Sequence, residues 1–272
     1  MKDNTSLTAP SPLLIEHDDG ITTLILNRPA INNAFDDEMI SLLIEALDDC
    51  RLNDDVKVVK LTGAGKHFSA GADLNWMRRM ADLDYSENRE DAGQLARLMS
   101  TLYHLNKPTI AQISGASYGG AIGLIACCDI AIASEKSIFC LSEVKIGLIP
   151  AVISPYVVKA IGERQARRYF ITAEVIKSEQ ALNLNLVHEV VPLEELKPRV
   201  DEIVSSMLIN GPKAMGISKA LVQKVANEKL DEDLKHHTRD LIAQVRVSEE
   251  GQEGLSAFLE KRPANWIKAD SK

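Results

Sequence analysis

Residues 108–129 read P-T-I-A-Q-I-S-G-A-S-Y-G-G-A-I-G-L-I-A-C-C-D. Ile110, Ala111 and Ile113 form a short apolar run that predicts a strand, Ser114 to Gly120 a small-residue cluster that predicts a tight turn, and the stretch that follows a buried helix. Glycine lets backbone approach a ligand closely, and a helix start directs free N–H groups and the positive dipole end at that place. Such a turn binds negative charge. Gly115, Ser117 and Gly119 also spell G-x-S-x-G, the nucleophile elbow of serine hydrolases, so two chemistries compete for the stretch.

Working outward toward the N-terminus, Val56, Val58, Val59 and Leu61 predict a buried strand, and Gly63 to Asp73 a second small-residue turn before another helix. The unit strand, glycine-bearing turn, helix therefore occurs twice. Residues 1–12 read as a polar tail, and Leu13 to Leu26 as a hairpin around Asp18-Asp19-Gly20. The loop Asn27 to Ala34 precedes a helix capped by Asp36 or Asp37, with Met39, Ile40, Leu42, Leu43, Ala46 and Leu47 at helical spacing. Between the two turns, Leu74 to Asn106 reads as helical, and its charged section Asp82 to Asp91 as a lid or an exposed helix face.

Toward the C-terminus, Ile130 to Ala133 and Ile138 to Leu141 predict short strands, Pro155 to Phe170 one amphipathic helix, and Ala181 to Val191 a helix end followed by a strand. From Leu193 the pattern is helical, with breaks at Gly211-Pro212 and Gly251 to Gly254. Strand units first and helices last predict an α/β core with a C-terminal helical appendage.

The 272 residues, 45% hydrophobic, suffice for one large core plus that appendage. A net charge of −8, with 31 Lys and Arg residues dispersed, argues against nucleic acid as the main partner. Cys50, Cys127, Cys128 and Cys140 lack metal-ligand spacing and read as reduced core residues, so no metal is expected. The N-terminus lacks the pattern of a signal peptide and no apolar run is long enough to span a membrane; the expected location is the cytoplasm.

A hydrolase triad is available on paper from Ser117, Asp129 and His188. His188, however, sits in N-L-V-H-E-V-V without an acidic partner arranged around it, so Ser117 reads as a small residue that permits the turn. The other chemistry uses both glycine turns. If Ala70-Gly71-Ala72 and Gly119-Gly120 face one another, each supplies a backbone N–H to one developing oxyanion, a donor whose loss typically costs about 3–4 kcal/mol of transition-state stabilisation. Glu143, with Phe139, Leu141, Val144 and Ile146 nearby, is the candidate proton carrier; an ion pair with Lys145 is the plain alternative.

Asn27-Arg28-Pro29 with Asn33-Ala34, Phe68 to Leu74, Gly115 to Gly120 with Cys128-Asp129, Ser142-Glu143 with Gly147 to Pro150, and finally Gly254 to Pro263 resemble the crotonase (enoyl-CoA hydratase/isomerase) superfamily, in order and over nearly the whole chain. The resemblance implies an α/β crotonase (ClpP-like) spiral of ββα units over 13–200 and a C-terminal helical region over 201–272 that forms trimers or dimers of trimers. It implies Ala72 and Gly120 as oxyanion donors and Glu143 as a catalytic carboxyl. It further implies substrate or coenzyme A contacts at Arg28, Ala34, Ala70, Asp73, Leu74, Tyr118, Gly119 and Gly123, and at Phe258 and Lys261 toward the nucleotide, often of a neighbouring subunit. The partner is then an acyl-CoA thioester, and no cofactor is needed beyond the coenzyme A of the substrate itself.

Two departures stand out. Family hydratases usually carry another glutamate at the position of Gly123, and the usual glycines after Ile149-Pro150 are replaced by Ala151-Val152-Ile153-Ser154-Pro155. One carboxyl suits a proton shuttle between carbons, the isomerase reading. Yet A-D-L-N-W-M-R-R-M and the run from Phe139 to Glu174 resemble bacterial methylglutaconyl-CoA hydratases and their carboxygeranoyl-type relatives. That closer resemblance implies hydration of a branched, carboxylated enoyl-CoA, with Gly123 making room for the acyl branch and Arg78, Arg79 or Lys145 meeting its carboxylate. An RNA-binding or scaffold protein that has lost the chemistry is the remote alternative, disfavoured by the acidic balance and the intact turns.

Overall fold

The computed structural model describes residues 11–267, so most of the expected N-terminal tail lies outside the described residues. In chain order, β1 (Leu13–Asp18) and β2 (Ile21–Leu26) lead to α1 (Asp37–Leu52), β3 (Val58–Gly63), α2 (Leu74–Asp82), α3 (Tyr85–Tyr103) and β4 (Thr109–Ile113). Next come β5 (Ala116–Tyr118), α4 (Gly120–Cys127), β6 (Ile130–Ser134), β7 (Ile138–Cys140), α5 (Ser154–Ile161) and α6 (Glu163–Thr172). The chain closes with β8 (Ile176–Lys177), α7 (Ser178–Asn183), β9 (Glu189–Val191), α8 (Leu193–Leu208), α9 (Pro212–Val225), α10 (Glu232–Val247) and α11 (Glu249–Glu260).

Two sheets result. The larger runs β1-β2-β3-β4-β6-β9, parallel throughout except for the β1–β2 hairpin; the smaller runs β5-β7-β8. The hairpin turns on Asp19 (φ 42°) and Gly20 (φ 84°), both left-handed as a tight turn between twisted strands requires. The period of two along a strand divides the core. Val59, Leu61, Ala111, Ile113, Ala131 and Ala133 face the main cluster with α1, α3 and α4, whereas Val58, Ile110 and Ile132 face Leu196, Val200, Val204 and Met207 of α8. All four cysteines are buried and free, and burial pushes the Cys128 thiol up to about 12.

Several sequence expectations need correction. The cluster read as a turn contains β5, whose one strand partner among the described residues is β7, twenty-two residues on in register (Ser117 with Phe139); a three-residue strand carries no periodicity to read. The amphipathic helix expected over Pro155 to Phe170 is two helices, broken at Gly162 with φ 76°. The charged section Asp82 to Asp91 spans the end of α2 and the opening of α3, an exposed helix face started by an Asp84–Glu87 capping box and tied to α2 by the Trp76 indole N–H on Asp91 (3.0 Å). The boundary expected between 200 and 201 falls inside α8, a core helix. The sparsely buried region begins at α9, where α9, α10 and α11 bury Gly216, Leu234 and Ala257 respectively, one residue per helix.

Candidate active site

The site lies where β5 and β7 end. These strands are parallel and adjacent, with Tyr118 opposite Cys140, so the residues that follow each of them, Gly119-Gly120 and Ser142-Glu143, emerge side by side. Ligand sites in α/β sheets gather at such carboxyl ends.

A third segment joins them. Ser69 pairs in parallel with Ser117 through Ser69 N–H to Ala116 O (3.2 Å) and Tyr118 N–H to Ser69 O (3.0 Å). Gly71 then lies against the Tyr118 backbone, which brings the Ala70–Ala72 turn up to the turn at Gly119-Gly120. Gly71 (φ 87°) is required there, because a Cβ would stand 2.7 Å from the Tyr118 carbonyl oxygen. Ala72 pairs in turn with Phe35: Phe35 N–H donates to Gly71 O and Asp73 N–H to Phe35 O, both at 2.9 Å. Since a trans peptide points its C=O and N–H in opposite directions, anchoring Gly71 C=O on Phe35 turns the Ala72 N–H away from Phe35. Gly120 opens α4, so its N–H has no acceptor within the helix. Among the described residues, neither the Ala72 nor the Gly120 N–H donates to the protein.

Glu143 completes the group. Its Oε1 lies 3.1 Å from where a Cβ of Gly119 would be, which places the carboxyl against the turn that opens α4. Oε2 is buried without a hydrogen-bond partner, and burial pushes the Glu143 carboxyl above the ordinary carboxylate range although its own backbone N–H pulls the other way. Phe139 and Leu141 are buried beneath it, while Ile146 is exposed. The ion pair with Lys145 does not form among the described residues, so the plain alternative falls away. Two free N–H donors beside a half-buried carboxyl of raised pKa can hold an enolate oxygen and exchange a proton with a neighbouring carbon or water.

The hydrolase triad is dispersed. Ser117 is fully buried with its hydroxyl unpartnered, Asp129 is held by Thr109 and Lys219, and His188 Nδ1 accepts from the Ala131 N–H.

Other residues named from sequence separate into three groups. Tyr118 and Ala70 are half-buried at the turns, Ala34 is buried and adjoins Phe35, and Leu74 stands 68% exposed at the start of α2. Phe258 lies on α11 and Lys261 is its C-cap, and α11 packs against α9 and α10. Arg28 and Asp73, expected as ligand contacts, are both engaged within the protein. The Arg28 guanidinium pairs with Asp36 (2.8 Å) and Asp73 (3.1 Å), and Asp73 caps α2 through the N–H groups of Asn75 and Trp76. Burial alone would raise the Asp73 carboxyl, but those two N–H donors and Arg28 outweigh it and hold it below its ordinary range.

Gly123 is a correction. A Cβ there would stand 2.2 Å from Ile153 Cγ2 and 3.1 Å from Met99 Sδ, so the space it vacates is filled by the protein and not left for an acyl branch. The two departures noted in the sequence thus compensate each other: glycine stands where a larger residue is usual, and Ile153 fills the gap from the segment that elsewhere is glycine-rich. Sequence reasoning missed Phe35, and it singled out Ile153 only as part of the Ala151 to Pro155 replacement, not for its contact with position 123. Phe35 carried a signal, as an aromatic residue between the Asn33-Ala34 motif and the Asp36 cap; Ile153 carried none at position 123.

Comparison with known proteins agrees with this geometry. Residues 16–269 match the model of the family described as "Enoyl-CoA hydratase/isomerase". The chain is 31% identical to the crotonyl-CoA hydratase of Syntrophomonas wolfei over 94% of its length and 97% of that protein. It is 29% identical to the 2,3-dehydroadipyl-CoA hydratase of Escherichia coli over 94% and 98%. The crystal structure of an enoyl-CoA hydratase from Shewanella pealeana superposes with a TM-score of 0.91 at 47% identity, covering 94% of this chain and 96% of that one.

Proposed function

Because the chain belongs to the enoyl-CoA hydratase/isomerase family, we propose that it hydrates a branched, carboxylated enoyl-CoA thioester, with 3-methylglutaconyl-CoA of leucine degradation as the substrate. The observation that carries this reading is the Glu143 carboxyl, raised by burial, beside the two unpaired N–H groups. The thioester oxygen lies between the Ala72 and Gly120 N–H groups. Water forms a bond to the β carbon and passes a proton to Glu143 as the α,β double bond shifts its electrons to the thioester oxygen. The enolate then takes that proton from Glu143 at its α carbon, so one water is added and no other co-reactant is consumed. Only the enolate bears a full charge on that oxygen, so the donors act chiefly on the transition state.

The carboxylated acyl group is supported by the closer resemblance in the sequence and by a relative named for a dehydroadipyl thioester. Of the three candidate cations, Arg79 pairs with Asp37 and Arg78 donates to Asn75, whereas Lys145 makes no ion pair among the described residues; Lys145 is therefore our choice. Phe258 and Lys261 would serve the nucleotide of a neighbouring protomer in a trimer or hexamer. Four free buried cysteines suit a cytoplasmic protein.

One observation favours a second reading. With position 123 closed by Ile153, no second carboxyl can enter from that helix face, and a single proton carrier is what double-bond isomerisation requires. Purified protein offered 3-methylglutaconyl-CoA, crotonyl-CoA and a 3-enoyl-CoA separates the two. Water addition fastest on the branched acid supports the proposal, and turnover of the 3-enoyl thioester alone replaces it with the isomerase.

A further inference from the structure

Arg28 sits at one end of a continuous line of hydrogen bonds. Its Nη1 donates to the Ala34 carbonyl oxygen (2.9 Å). That carbonyl shares a peptide with the Phe35 N–H, which donates to Gly71 O (2.9 Å), and the Gly71 carbonyl shares a peptide with the Ala72 N–H. The line thus runs from a guanidinium through two peptide units to an N–H that makes no bond among the described residues. Each unit is planar, so the direction of one end fixes the direction of the other. Each is also polarised by its neighbour, so a cation at the head strengthens the donor at the tail.

The guanidinium is held in place for this. Asp36 Oδ2 pairs with the same Nη1 at 2.8 Å, and Asp73 Oδ2 with Nη2 at 3.1 Å. Asp73 is 5% exposed, bonds Phe35 O through its own N–H, and directly follows Ala72. Arg28 N–H further donates to Asn33 Oδ1, whose amide anchors the loop on the carbonyls of Ala64 and His67. Acceptors held by two separate nitrogens of one planar fork, Nη1 and Nη2, make a geometry that the single ammonium of a lysine does not reproduce.

We infer that Arg28 is a positioning residue for the oxyanion donor: through the Ala34–Phe35 and Gly71–Ala72 peptides it aims and polarises the Ala72 N–H, and it does not bind the nucleotide. The inference rests on the reading of Ala72 as an oxyanion donor.

The test compares wild type with Arg28→Lys and Arg28→Met by three readouts: kcat and KM on the best enoyl-CoA, affinity for free coenzyme A, and the carbonyl stretch of a bound, carbonyl-labelled saturated acyl-CoA. Misdirecting one donor should lower kcat on the order of 10- to 100-fold, with KM changed less than about threefold. Free coenzyme A has no thioester carbonyl, so its affinity should not change, while the carbonyl stretch should move back toward its value in water. Arg28→Lys keeps the charge and is the variant that decides should Arg28→Met fail to fold. A wild type that leaves the bound carbonyl unshifted overturns the oxyanion reading itself. A wild-type shift that persists in Arg28→Lys, or a variant whose defect is weakened coenzyme A affinity, overturns the relay alone.

Discussion

At the scale of single residues the site combines strict and opportunistic choices. Gly71 and Gly119 have positive φ angles that side chains resist, and Gly71 also meets the Tyr118 carbonyl; such needs are visible in a sequence, which is why both turns were legible. Glu143 was legible only by its place after a strand, and its unpaired, buried Oε2 emerged from the fold. That burial has a consequence for stability. Because the folded state raises the Glu143 pKa, it holds the proton through a pH range in which the unfolded chain has released it. Burial of Glu143 therefore costs nothing below the unfolded value of about 4.3, lowers stability progressively as pH rises from there to the folded pKa, and exacts its full cost above it. Glu143→Gln should accordingly melt at a higher temperature than wild type near pH 8, with the difference vanishing toward about pH 4. Equal melting curves across that range would mean that the carboxyl is not buried as described.

At the scale of elements, helices with a clear apolar stripe were legible, α1 and its Asp36 cap among them. What escaped was set by contacts distant in sequence: β5 exists because β7 pairs with it, and α5 and α6 part at a glycine inside an unbroken amphipathic pattern. The α4–α5 contact is the clearest case. Thirty positions separate Gly123 from Ile153, and nothing local in either segment announces that one is the socket of the other. Their coupling is measurable by a double-mutant cycle. Gly123→Ala alone should destabilise by about 1–3 kcal/mol through overpacking, and Ile153→Ala alone by about 2–5 kcal/mol through the cavity it leaves. Together they should cost less than the sum by about 1 kcal/mol or more, since the added methyl occupies the vacated space. Additive losses in chemical denaturation would place the two side chains out of contact.

At the scale of the whole molecule, the large sheet and its two covering layers follow from period-two strands, while the C-terminal helices do not bury what their sequences offer. Ile217, Val222, Ile242, Val247, Leu255 and Phe258 are exposed on α9 to α11, an apolar surface of the kind that marks a protein interface. Sedimentation velocity should show a mass of three or six chains at micromolar concentration, and a monomer that persists on concentration would remove the neighbouring-subunit role of Phe258 and Lys261. The central question is whether one buried carboxyl beside two backbone donors adds water. The direct measurement is the mass of the acyl product formed from 3-methylglutaconyl-CoA by wild type and by Glu143→Gln. The account predicts a product heavier by one water with wild type, and a rate lowered on the order of 100- to 10,000-fold in the variant. A product of unchanged mass, or water addition that survives the loss of Glu143, would contradict it.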